Sequence, residues 1–187
     1  EGFYLDPSVI LRLCILIILL ALSAFFSSSE TALTTVNVHT IRALVEDGNR
    51  QAKRVLQLIE NPAAMLSSIL IGNNLVNISA TSLATTLAID VFGSAGAGIA
   101  TGVLTILVLI FGEITPKTYA TIKNTNLALR FGPVIYYVTK VLTPVVIVIN
   151  KLSTGLLMLL RIDAKQSKQV MTERELRTIV DASHEDG

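Results

Sequence analysis

Apolar residues run almost unbroken through three stretches of the chain: Val9 to about Glu30, Ala63 to Ile89, and Val91 to about Lys117. About 20 apolar residues cross a bilayer as a helix, so each stretch predicts a membrane span. The first is read as a retained span and not as a cleaved leader. Its uncharged run from Leu13 to Ser29 follows an acidic tail (Glu1, Asp6), where a signal peptide has a basic one. Between the second and third stretches stand only Asp90 and the run Gly93-Ser94-Ala95-Gly96-Ala97-Gly98. That run predicts a tight turn and an antiparallel hairpin of spans. Between the first and second, Ile41, Leu44 and Val45, then Val55, Leu58 and Ile59, recur at helical spacing around Asp47-Gly48-Asn49. They predict two short amphipathic helices joined by a turn.

A fourth apolar region, Phe131 to Leu160, is interrupted by Pro133, Lys140, Pro144 and Lys151. Two arrangements suit it: a helix lying in the plane of the membrane surface, or a short hairpin. The in-plane belt is preferred, because Lys140 and Lys151 are about three helical turns apart and so fall on one side. Beyond Arg161 the apolar character ends. Thr172 and Glu175 are spaced as a capping box at a new helix start, which is expected to begin a cytosolic part. The fold class expected is therefore an all-α membrane protein with three transmembrane helices, a cytoplasmic helical hairpin and a juxtamembrane belt helix. Residues 1–160 would form the transmembrane domain and 161–187 a linker into a cytosolic regulatory region.

Charge sets the orientation. Arg42, Arg50, Lys53 and Arg54 lie between spans one and two, and Lys117, Lys123 and Arg130 follow span three. The N-terminal tail and the hairpin turn carry no Lys or Arg. Cytoplasmic loops carry the basic excess, so the N-terminus is expected outside and the C-terminus in the cytoplasm of a multi-pass protein of the plasma (inner) membrane. A fourth crossing would carry Arg161, Lys165, Lys168, Arg174 and Arg177 outside, against that rule. The chain has 187 residues, 51% of them hydrophobic and 16% charged, with net charge +1. Soluble domains average about 25% charged residues, and a near-neutral chain argues against a nucleic-acid partner. Cys14 is the single cysteine and Trp is absent, which leaves no disulfide framework.

Three polar clusters break the spans. Ser23, Ser27, Ser28, Ser29 and Glu30 end the first; Gly72, Asn73, Asn74 and Asn77 lie in the second; Phe111-Gly112-Glu113-Ile114-Thr115-Pro116-Lys117 closes the third. Ser23 with Ser27, and Asn73 with Asn77, are four apart and share a helix face. Pro116 has no N–H for the carbonyl four residues back, that of Gly112, and predicts a kink with that oxygen free beside Glu113. Hydroxyl, amide, carbonyl and carboxylate oxygens are the ligands of Mg2+ and Ca2+. An ionisable residue within a span costs at least about 2.5 kcal/mol and by default marks a pathway. Each cluster also has a plainer reading. Ser and Asn bond neighbouring helices, Glu113 can pair with Lys117 four residues on, Glu30 can pair with a basic loop residue, and Thr81, Thr85 and Thr86 can bond their own backbone.

The three motifs Phe26-Ser27-Ser28-Ser29-Glu30-Thr31-Ala32, Leu70-Ile71-Gly72-Asn73-Asn74-Leu75-Val76-Asn77 and Phe111-Gly112-Glu113-Ile114-Thr115-Pro116-Lys117, in that order, closely resemble the membrane domain of the CorC / cyclin-M (CNNM) family of Mg2+ transporters. Ser28 departs from the pattern, where Gly or Ala is more usual. The resemblance implies a homodimer with three spans and a belt helix per protomer. Cytosolic cystathionine-β-synthase-type (CBS) modules that bind ATP would follow the belt, beyond the residues present. It implies an inward-facing Mg2+ site on Ser27, Asn73, Asn77, Gly112 (by its carbonyl) and Glu113, with Ser23 and Asn74 as second choices. Export of Mg2+ against entry of Na+ is the implied coupling. A Mg2+-sensing scaffold that regulates a partner without transport uses the same residues. An enzyme is not expected, since the spans offer neither a Ser–His pair nor facing aspartates.

Overall fold

A computed structural model of the chain describes residues 7–159; the capping box at Thr172 and Glu175 and the rest of 160–187 lie outside the described residues. Every element among the described residues is helical: α1 (Pro7–Thr35), α2 (Val38–Glu46), α3 (Arg50–Ile59), α4 (Pro62–Phe92), α5 (Ser94–Leu107), a π-helical segment (Val108–Ile114), α6 (Thr115–Ile122) and α7 (Asn124–Leu159).

Asparagines start three of these helices. The Asn37 side chain accepts from the His39 and Thr40 amides, Asn49 from Gln51 and Ala52, and Asn61 from Ala64 with Pro62 in the first turn. Each supplies an acceptor for amides that a helix start leaves unbonded. Gly48, at φ 83°, turns α2 into α3, where the sequence predicts the turn.

Helices α1 and α4 are antiparallel neighbours. Arg12 pairs with Asp90, Ser23 bonds Asn73, and the Phe26 ring lies over Gly72, so numbers rise along one helix as they fall along the other. Helix α4 makes this approach with Gly72, Val76, Ala80, Ala84 and Ala88, all buried, a stripe of mostly small residues four apart that admits a neighbouring backbone.

Ser23, Ser27, Ser29 and Ser68 are fully buried along with apolar residues such as Ile41, Val55, Ile69 and Ile135, while Ile17, Leu75 and Ile78 are 67%, 66% and 69% exposed. Among the described residues four helices are long and apolar enough to cross a membrane: Pro7–Thr35, Pro62–Phe92, Thr101–Ile122 and Asn124–Leu157.

Several boundaries differ from those expected. The first two helices outrun their apolar spans at both ends, and the third runs beyond its span only at the C-terminal end, to Ile122. The glycine-rich run is not a turn. Gly93 alone, at φ 72°, ends α4, and α5 begins at Ser94. The hairpin alternative for the fourth region does not form: α7 is one helix through Pro133 and Pro144, and it starts at Asn124 instead of Phe131. Each proline removes one backbone bond, too little to end a helix already 9 residues long when the first is reached.

The chain divides into two units, Glu1–Thr143 and Pro144–Gly187. In the first, the opening half of α7 packs on α3. Gly132 lies against Val55, the Arg54 guanidinium stacks 5.1 Å from the centroid of the Tyr137 ring, and the Phe131 ring meets Phe25 of α1 at 5.0 Å. In the second, the described residues are the end of α7, with Lys151 and Leu152 exposed.

A polar seam between the membrane helices

The three polar motifs meet where α1, α4 and the π-helical segment pack together. Ser23 Oγ, 1% exposed as a residue, donates to Asn73 Oδ1 at 3.5 Å. Gly112 faces the same hydroxyl: a Cβ there would fall 2.9 Å from Ser23 Oγ. Ser23, Asn73 and Gly112 thus form one layer. Asn77, about 6 Å further along α4, donates from Nδ2 to Glu113 Oε1 at 3.4 Å. Ser27 lies one turn from Ser23 in the opposite direction, because α1 and α4 are antiparallel.

Among the described residues, two buried oxygens in this seam have no partner, Ser27 Oγ and Asn77 Oδ1. They flank the Ser23–Asn73–Gly112 layer along the helix axes. Asn74, in contrast, is exposed and turned away from the seam.

The π segment accounts for the position of Gly112 and Glu113. Its register is five residues instead of four, as in the bond from the Thr115 amide to the Ile110 carbonyl. Such widened turns recur at functional sites, since the extra residue re-aims the side chains around it. Pro116 follows directly and donates neither to the carbonyl four residues back, Gly112, nor to the one five back, Phe111. Ser28 Oγ donates to the Pro116 carbonyl at 3.5 Å, which ties the first motif to the third.

The remaining polar residues resolve into simpler roles. Ser29 donates to the Phe25 carbonyl, Thr81 to Asn77 and Thr86 to Ser82, each within its own helix. Lys117 does not pair with Glu113. Its Nζ is 3.3 Å from Glu30 Oε2 on α1. The sequence pairs Glu30 only with an unspecified basic loop residue, and the Glu113–Lys117 spacing draws attention away from this contact. The Arg12–Asp90 ion pair, at the opposite end of α1 and α4, also escapes a reading of the sequence, because the two residues are far apart in it. Among the described residues no group of three or more His, Cys, Asp or Glu gathers to hold a metal. A cation in the seam would be held by neutral oxygens around one carboxylate.

Exposed apolar helices around a buried polar seam define a multi-pass helical membrane protein. Residues 14–187 match the cyclin M transmembrane N-terminal domain, and the chain belongs to that family. It is similar to a UPF0053 protein of Haemophilus influenzae, at 42% identity over 171 residues, covering 91% of this chain and 41% of that protein. It is also similar to the UPF0053 inner membrane protein YfjD of Escherichia coli K12, at 40% identity over 164 residues, 87% of this chain and 38% of that one. A shorter similarity, 39% over 71 residues and 15% of the relative's length, is to the polyamine export protein of E. coli K12. The chain spans well under half the length of each of these relatives.

Proposed function

We propose that this chain is the membrane part of a secondary transporter that exports Mg2+ in exchange for Na+. Mg2+ would bind Ser27, Asn73, Asn77, the Gly112 carbonyl and Glu113, with Ser23 lining the same cavity. The observation that carries the reading is the pair of buried, unpartnered oxygens, Ser27 Oγ and Asn77 Oδ1, in a seam that also holds Glu113. Each such atom costs about 1–3 kcal/mol when left unbonded, and a hard cation or a water of its shell would satisfy either of them. Mg2+ keeps several of its waters when bound, which suits ligands spread over successive helical turns. A single carboxylate among neutral oxygens gives the modest affinity required of an ion that must be released.

In this reading the end bearing Glu30, Lys117 and the basic α2–α3 hairpin faces the cytoplasm, and the cavity opens there. The protein works as a homodimer with one site per protomer, and cytosolic CBS-type modules binding ATP belong to the longer protein. The similarity to a polyamine export protein favours a second cargo, an organic polycation drawn to the same carboxylate. A Mg2+-sensing scaffold remains the reading without flux.

Purified protein in sealed liposomes, with a Mg2+-sensitive dye inside, separates these. Mg2+ movement that responds to an opposed Na+ gradient and is lost in Glu113→Gln is the expected result. Mg2+ binding without movement would leave the scaffold. Spermidine flux without Mg2+ flux would make the polycation the cargo.

A further inference from the structure

Lys117 follows Glu113 by four residues, the order and spacing in which a helix best pairs Glu with Lys. Its ammonium nevertheless sits on Glu30 of α1, at 3.3 Å, and the Glu113 carboxylate is left to Asn77. The neighbouring bond from Ser28 to the Pro116 carbonyl holds α1 and α6 together at the same place. We infer that Glu30 is a positioning residue, which holds Lys117 away from Glu113 and so keeps the carboxylate of the seam open to a cation. The inference rests on the reading of Glu113 as a cation ligand.

The physical case is one of competition. A tethered ammonium one turn from a carboxylate acts at an effective concentration of about millimolar or above. A site with one carboxylate binds its ion modestly, so an internal cation at that concentration is a serious rival. Glu113 is partly buried and carries the carboxylate nearest to Lys117 on its own helix, so an ammonium released from Glu30 is drawn to it. The Glu30–Lys117 pair itself is about half exposed on both sides, and such pairs add little to stability. Its role is therefore not to hold the fold but to fix where the positive charge rests.

Two measurements on the protein in detergent test this. The first involves no Mg2+. A water-soluble carbodiimide joins a carboxylate to a nearby lysine amine with loss of water, and peptide mass spectrometry maps the product. Wild type is expected to give Glu30–Lys117, and Glu30→Gln to give Glu113–Lys117. The second is Mg2+ titration by calorimetry. Glu30→Gln is expected to weaken binding about tenfold or more, and Glu30→Gln with Lys117→Met to return to within about twofold of wild type. A merely structural Glu30 would show no such rescue. The inference is overturned if Glu30→Gln yields no Glu113–Lys117 product, if it binds Mg2+ like wild type, or if the monodisperse double variant does not recover. Wild-type binding by Glu113→Gln would sink the cargo reading instead, and the coupling product would still decide which carboxylate holds Lys117.

Discussion

At the scale of single residues, the seam assigns unequal weight to its members. Glu113 supplies the one full negative charge. At an effective dielectric of about 20, that charge against a dication at about 2.1 Å amounts to roughly 15 kcal/mol before desolvation is subtracted. Glu113→Gln keeps the size and the bond with Asn77, and is expected to abolish calorimetric Mg2+ binding. Asn73→Ala and Asn77→Ala each remove one neutral oxygen that water can replace, so their affinities should fall in a graded way, by about tenfold or less. Thr85→Ala, more than one turn beyond Asn77, should change nothing. Wild-type binding in Glu113→Gln would mean that the carboxylate serves only Asn77. Most of these residues were legible in advance, because oxygen-bearing side chains in an apolar span stand out and four-residue spacing puts them on one face. Their partners were not. The choice Lys117 makes between Glu30 and Glu113 depends on where α1 lies against α6, and spacing along one helix carries no information about a second. Asn74 illustrates the same limit, since next to Asn73 in sequence it is rotated about 100° around the helix and is exposed.

At the scale of elements, close approaches are made by glycines that leave room for specific side chains. A Cβ on Gly132 of α7 would fall 2.5 Å from Val55 Cγ2 of α3. Gly132→Ala is therefore expected to destabilise the α3–α7 contact by about 1–3 kcal/mol, seen as a lower thermal unfolding midpoint in detergent. Adding Val55→Ala should restore part of the loss by making room, and failure to do so would show that the two helices do not meet there. Gly112 is tighter in a different way, since the atom it faces is the Ser23 hydroxyl. Gly112→Ala should disturb the bond to Asn73 and weaken Mg2+ binding more than it lowers stability. Helix positions were largely legible from apolar runs and from the Asp47-Gly48-Asn49 turn, while the caps at Asn37 and Asn61 were not read. The five-residue register of Val108–Ile114 was not. Pro116 signals a break in bonding, but a proline alone does not specify the register of the turn before it. The continuity of α7 was hidden for a related reason. Prolines and lysines read as interruptions, yet an apolar helix can carry both once its first turns are packed.

At the scale of the whole molecule, the open question is how many helices cross, and α7 decides it. By length and apolarity it qualifies as a fourth span. Its first half, however, packs on α3, where Arg54 stacks on Tyr137 and Arg50 and Lys53 are exposed. Had this half crossed the bilayer, α3 would bring those charges into the hydrocarbon, at about 2.5 kcal/mol or more for each. A crossing would also carry the five basic residues from Arg161 to Arg177 to the side opposite the other basic segments, against the usual bias. Lys140 and Lys151 are both exposed on α7, free to reach headgroups from a helix lying at the surface. At the far end of α1 and α4, Arg12 is the one basic residue that such counting would assign outside, and its pairing with Asp90 offsets the charge. Three crossings with α7 at the cytoplasmic surface are therefore expected. Single cysteines introduced in a Cys14→Ser background, needed because Cys14 is exposed, provide the check. Membrane-impermeant maleimide added to intact cells should label a cysteine at Ser94, while those at Asn49 and Lys165 should react only after the membrane is opened. Labelling at Lys165 from outside, with Asn49 still protected, would make α7 a fourth span and put the C-terminus on the outer side. Cytosolic CBS-type modules could then not follow it, and that part of the proposal would fail with the topology.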